Sequence, residues 1–115
     1  MENTPDRMIF ESVPGKQVTL AHLISNPDPR IFNKLGLSDS ISNAIGILTI
    51  TPSDVAIIAV DLAKKETDIK IGFVDRFCGA VCILGDVSAV EMGINRIIKD
   101  LQSKLGFSVC KITRT

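Results

Sequence analysis

Hydrophobic and polar positions change period several times along the chain, and each change marks an element. Residues 7–12 hold a short apolar run, Met8-Ile9-Phe10, before Pro14-Gly15 turns the chain. Residues 16–24 alternate, with Val18, Leu20, His22 and Ile24 on one side and Gln17, Thr19 and Ala21 on the other. That is the period of a half-buried strand. Asn26-Pro27 supplies a cap and a first-turn proline for a short helix that runs to Leu35 and stops at Gly36. Ala44–Thr51 is almost wholly apolar, as a central strand buried on both faces should be. Thr51-Pro52-Ser53-Asp54 follows, a capping box with proline in the first turn. The helix behind it carries Val55, Ile58, Ala59 and Leu62 at the spacing of one helical face. Residues 69–75 and 80–84 are predicted strands, joined by the tight turn Arg76-Phe77-Cys78-Gly79. Asp86 caps the longest helix, whose stripe is Val87, Val90, Ile94, Ile97, Leu101 and Leu105. Gly106 ends it, and residues 107–112 read as a last strand.

From residue 44 onward the predicted order is β-α-β-β-α-β, the split βαβ pattern of ferredoxin-like domains. Ahead of it sit an extra strand and an extra β-α unit. The predicted class is α+β, an antiparallel sheet with helices on one face. At 115 residues the chain is one domain. Residues 14–115 form it, and residues 1–13 are a tail carrying the strand Met8-Ile9-Phe10. The other sheet face, or its edges, must meet something else.

Composition says what that partner is not. Thirteen basic and thirteen acidic residues cancel, so no long-range field gathers nucleic acid or an anionic membrane. Five Phe with no Trp or Tyr leave little for base stacking. No apolar stretch is long enough to span a bilayer, and the polar, acidic residues 1–6 are unlike a secretory leader, so the cytosol is the expected address. With 45% hydrophobic residues and no net charge, the chain is expected to hide surface against copies of itself.

Candidate chemistry is sparse. His22, the sole histidine, lies on a strand's apolar side and reads as structural, donating to a backbone carbonyl. Cys78 and Cys82 are spaced C-x-x-x-C with no second pair, which is not a zinc pattern. Cys82 and Cys110 read as small core residues, and Cys78 as an exposed thiol in a turn. Neither phosphate-cradling glycine motif follows a strand. Asp75-Arg76 reads as a turn or interface pair, and Asp61, Glu66, Glu91 and Asp100 as carboxylates on polar helix faces. Without a nucleophile, base and stabiliser in one set, the chain reads as a binding or structural module with no cofactor, not an enzyme.

Several long segments, in one order, carry a resemblance. They are Val13-Pro14-Gly15-Lys16-Gln17-Val18-Thr19-Leu20-Ala21-His22-Leu23-Ile24, Ala44-Ile45-Gly46-Ile47-Leu48-Thr49-Ile50-Thr51-Pro52, Ile71-Gly72-Phe73-Val74-Asp75-Arg76-Phe77, Gly85-Asp86-Val87-Ser88-Ala89-Val90 and Ile112-Thr113-Arg114-Thr115. Together they resemble the circularly permuted bacterial microcompartment (BMC) shell proteins of the PduU and EutS type. The resemblance implies cyclic homohexamers that tile, with other shell proteins, into the shell of a cytoplasmic compartment for propanediol, ethanolamine or choline utilization. It implies contact with encapsulated enzymes or their targeting peptides. Asp61-Leu62-Ala63-Lys64-Lys65 is similar to the family's D-x-x-x-K, which gives Lys65 a place at the hexamer edge. Two segments, ending at Asn26 and at Arg114, are both similar to the strand that leads to an edge arginine, and the choice stays open. Phe77, Cys78, Gly79 and Ala80 fall where the family sets its loops round the six-fold axis. Met8, Ile9 and Phe10 match a strand that builds a six-stranded parallel barrel over that axis. Six Cys78 thiols on one axis could hold a metal or iron–sulfur cluster, but a single cysteine per subunit is more simply a small polar residue. A competing reading is a small oligomeric ferredoxin-like sensor that binds a metabolite between subunits.

Overall fold

Ala44–Thr51 is the middle of a five-stranded sheet, as its unbroken apolar sequence predicts. The structure is a computed structural model and describes residues 15–36 and 42–115. Its elements are β1 (Gln17–Ser25), α1 (Arg30–Lys34), β2 (Ala44–Thr51), α2 (Val55–Glu66), β3 (Lys70–Asp75), β4 (Ala80–Gly85), α3 (Val87–Leu105) and β5 (Thr113–Arg114). The sheet order is β3-β4-β2-β1-β5. Neighbours are antiparallel except β5, which runs parallel to β1. The leading strand thus sits inside the βαββαβ sheet and pushes the last strand to its edge. The barrel strand expected at Met8, Ile9 and Phe10 lies outside the described residues.

Helices cover both faces, not one. Against α2 and α3 lie Val18, Ala21, Leu23, Leu48, Ile50, Val81 and Ile83. Ile94, Ile97 and Leu101 of α3 are wholly buried there, and each such side chain contributes about 1.5–3 kcal/mol by leaving water. On the other face, Phe32 of α1 packs on Ile45, Cys82 and Leu84, with Ile24, Ile31 and Ile47 around them. A bulge in β1 explains how that strand serves both. Val18 pairs with Ile50 but Leu20 with Thr49, so Thr19 is an extra residue. An extra residue swaps the sides of everything after it. Ala21 and Leu23 therefore enter the main core, while Leu20, His22 and Ile24, expected on one side with Val18, turn away from it.

Further expectations shift for local reasons. The first helix starts at Arg30, not after Asn26, because Asn26 adopts φ 49° and cannot begin a right-handed turn. Pro52 follows a cis bond, and α2 begins only at Val55, with no side-chain cap. Inside α2 the buried residues are Ala56, Ala59, Val60 and Ala63, while Ile57 and Ile58 face out. A run of apolar residues leaves the phase open, and packing chose the small ones. A Cβ added to Gly93 of α3 would stand 3.4 Å from Ala63 Cβ, so the helices meet through their smallest side chains. The start of α3 is capped from elsewhere: Val87 N–H donates to Asn43 Oδ1 at 3.2 Å, and Asp86 makes no cap bond. Gly106, at φ 72°, ends the helix, and Phe107 N–H donates to Leu101 O at 3.0 Å. Leu105 is exposed.

Residues 107–112 do not form the expected strand. Ser108 bridges to Gln17, and pairing resumes only at His22 with Thr113. The stretch between lies beside the bulge of β1, where a regular ladder is interrupted. Phe107 is buried there, with Val109, Cys110 and Ile112 packed partly on the core.

Candidate assembly surfaces

Strand registers give the molecule two ends. At one, Gln17 faces Thr51 and Asp75 faces Ala80; at the other, Ser25 faces Ala44 and Ala44 faces Gly85. Helix α2 runs from the first end to the second.

The turn of residues 76–79 closes the first end. Asp75 directs it, since Oδ1 accepts from Phe77 N–H at 2.8 Å and Cys78 N–H at 3.3 Å. The Cys78 side chain and these two N–H groups hold the Asp75 carboxyl below the usual carboxylate range. Its charge is thus engaged inside the turn, not paired with Arg76. The Arg76 guanidinium lies 4.8 Å from the centre of the Phe77 ring, a cation–π contact. Gly79 has φ 81°, and a Cβ there would stand 2.0 Å from Ile50 O. Gly79 O accepts from Ile50 N–H at 2.9 Å, and Ala80 opens β4. The four expected turn residues are together, with Phe77 at its tip and 82% exposed. Cys78 is exposed, as expected. Among the described residues no three His, Cys, Asp or Glu side chains converge to hold a metal. The first described residues also lie at this end, because Gln17 faces Thr51.

The second end holds the three expected edge residues. Lys65, at the end of α2, pairs with Asp61 at 2.9 Å, both well exposed. Such a pair is worth only about 0.3–0.5 kcal/mol and yields readily to another partner. Its neighbour Lys64 instead donates to Ile69 O at 2.9 Å and fixes the joint between α2 and β3. Asn26 N–H donates to Asn43 O at 2.8 Å. Arg114 pairs with Glu91 of α3 and holds the Glu91 carboxyl below its ordinary range. Asn26 and Arg114 end two parallel, adjacent strands, with Leu23 opposite Arg114.

Some residues differ from expectation. His22 does not donate to a backbone carbonyl: Nδ1 lies 2.6 Å from Thr113 Oγ1 and Nε2 2.9 Å from Thr115 Oγ1. The bulge turned it toward β5, where hydroxyls take both nitrogens. Asp100 is not on a solvated face; it is 6% exposed and bonded to Arg96 Nε at 2.6 Å. Arg96 also reaches Glu66 at 2.7 Å, tying α3 to α2. Cys82 is a core residue whose thiol burial pushes up to about 11. Cys110 is only partly buried.

An apolar flank between the two ends escaped the sequence reading. Ile57 and Ile58 of α2, Ile71, Phe73 and Val74 of β3, and Phe77 of the turn are all exposed. Ile57, Phe73, Val74 and Phe77 line one hollow with Asp75 and Arg76. Its signal was present as apolar residues on all sides of early α2 and an apolar run in an edge strand. An open apolar edge invites pairing with another chain, and monomers rarely leave such a patch uncovered. No helix among the described residues is long and apolar enough to cross a membrane.

The structure thus separates a glycine-closed turn at one end, cationic strand and helix ends at the other and an exposed apolar flank between them. Residues 44–113 match the BMC domain model, and the chain belongs to the family of bacterial microcompartment shell proteins, a structural component of such a shell. It is 59% identical to the shell protein PduU of Salmonella typhimurium strain LT2 over 97% of this chain and 96% of that one. It is 47% identical to the shell protein EutS of Escherichia coli strain K12, over 96% and 97%. Among solved structures it is similar to a flat hexamer of CutR, with a TM-score of 0.84 and 44% identity over 96% of this chain and all of that one.

Proposed function

We propose that this chain is the subunit of a cyclic homohexameric shell tile and carries out no catalysis. Residues 77–80 then ring the six-fold axis, and the flank of Ile57, Ile71, Phe73 and Val74 is buried between neighbouring subunits. Lys65, Arg114 and Asn26 face outward, toward other shell proteins. The observation that supports this most is the segregation of the three surfaces, since a ring needs one end for its axis, one for its rim and a side for its neighbour. Lysine suits a rim, because an ammonium on a flexible stem can donate to carbonyls of a facing tile. Met8, Ile9 and Phe10 would form a barrel over the axis, capping it, and a capped tile organises the shell or docks enzymes and targeting peptides more than it conducts metabolites.

Ring and sheet separate by mutation. Phe73→Asp with Ile57→Asp should reduce hexamers to smaller species on sizing, while Lys65→Ala should keep hexamers and weaken sheets seen by electron microscopy. Hexamers that survive the double change remove the flank from the ring contact, and sheets unchanged in Lys65→Ala remove Lys65 from the rim.

A further inference from the structure

His22 makes contacts that neither the core nor the turn requires. It is half-buried on the sheet face away from α2 and α3, and its two ring nitrogens span Thr113 and Thr115, the residues either side of Arg114. The hydroxyl of Thr113 also lies 3.4 Å from Ala21 O. A hydroxyl has one proton and two lone pairs, so Thr113 can donate to Ala21 O and accept from Nδ1–H. Nε2 then accepts the Thr115 hydroxyl proton, and both ring nitrogens and both hydroxyls have a partner. Backbone bonds run alongside: Thr115 N–H donates to Leu23 O at 3.0 Å and Ser25 N–H to Thr115 O at 2.9 Å. Because side chains alternate along a strand, Arg114 leaves on the opposite face, where Glu91 receives it.

A two-residue parallel strand at a sheet edge has little hold of its own. We propose that His22 is the positioning residue for Arg114: by gripping the hydroxyls on both sides of it, the imidazole fixes β5 against β1 and presents the guanidinium at the rim. This rests on the reading that Arg114 works at the tile edge. His22 supplies direction and order there, and Arg114 makes the contact.

The test uses the full-length hexamer with His22→Ala, His22→Gln, Arg114→Ala and the His22→Ala/Arg114→Ala double variant. Backbone hydrogen exchange across residues 113–115 reads the grip, and sheet formation by electron microscopy reads the rim. His22→Ala should speed exchange there at least tenfold and weaken sheets as far as Arg114→Ala does, with the double variant no worse than Arg114→Ala. His22→Gln should restore both readouts in part, because its amide offers one donor and one acceptor at similar spacing. Unchanged exchange in His22→Ala overturns the grip, and additive loss in the double variant overturns its action through Arg114. Normal sheets from Arg114→Ala overturn the rim role, while exchange still decides the grip. Should His22→Ala fail to fold, Thr113→Val with Thr115→Val removes the hydroxyls alone, and the same outcomes apply.

Discussion

At Gly79 a single added carbon should do more harm than at Gly36, although both glycines have positive φ. Gly36, at φ 76°, has nothing within 4 Å of an added Cβ, so alanine there meets only the left-handed penalty, about 1 kcal/mol. Gly79, at φ 81°, meets the same penalty and a backbone oxygen 2.0 Å away. Gly79→Ala should cost about 3 kcal/mol, read as a drop in the urea midpoint. Equal losses for the two variants would contradict this account of the turn. The place of this turn was legible because glycine acts locally, but the role of Asp75 in directing it was not, since Asp75 read as a pair with Arg76. His22 was not, because a residue inserted three positions earlier decided which way it points. Asp100 was hidden for a related reason: its burial depends on Arg96 and Lys104 one turn to either side and on α2 lying close.

At the scale of elements, α2 and α3 are joined by small residues in the middle and by the Glu66–Arg96–Asp100 chain of charges toward the outside. The Arg96 guanidinium holds the Asp100 carboxyl below the usual carboxylate range, against burial that pushes it up. A carboxylate with a lowered native pKa stabilises the fold above its unfolded value, near 4, and that contribution is lost as pH falls through the native value. Asp100→Asn should therefore lower the urea midpoint at pH 7 and match the parent chain once the pH lies below the native pKa. A deficit that stays constant with pH would assign the loss to packing and not to charge. Strand and helix order was readable from period alone, since β2, α3 and the hairpin of β3 and β4 are long or sharply bounded. The phase of α2, the start of α1 and the loss of strand over residues 107–112 were not, because each is set by a neighbour the local pattern does not contain. Small residues at the α2–α3 contact turned Ile57 and Ile58 outward, and the bulge of β1 interrupted its pairing with the last segment.

For the whole molecule, an excess of apolar residues without net charge pointed to self-association, and the structure locates that excess. Much of it lies along α2, β3 and the turn, on a side that no element among the described residues covers. The end-to-end separation of Phe77 from Lys65 and Arg114 follows from the strand registers, which the sequence could suggest only through family likeness. On the function proposed above, burial of this flank between copies would be the step from fold to shell. Sedimentation of the purified full-length chain at micromolar concentration tests it most directly: a single species of six chains is predicted, and a monomer or dimer would contradict the account.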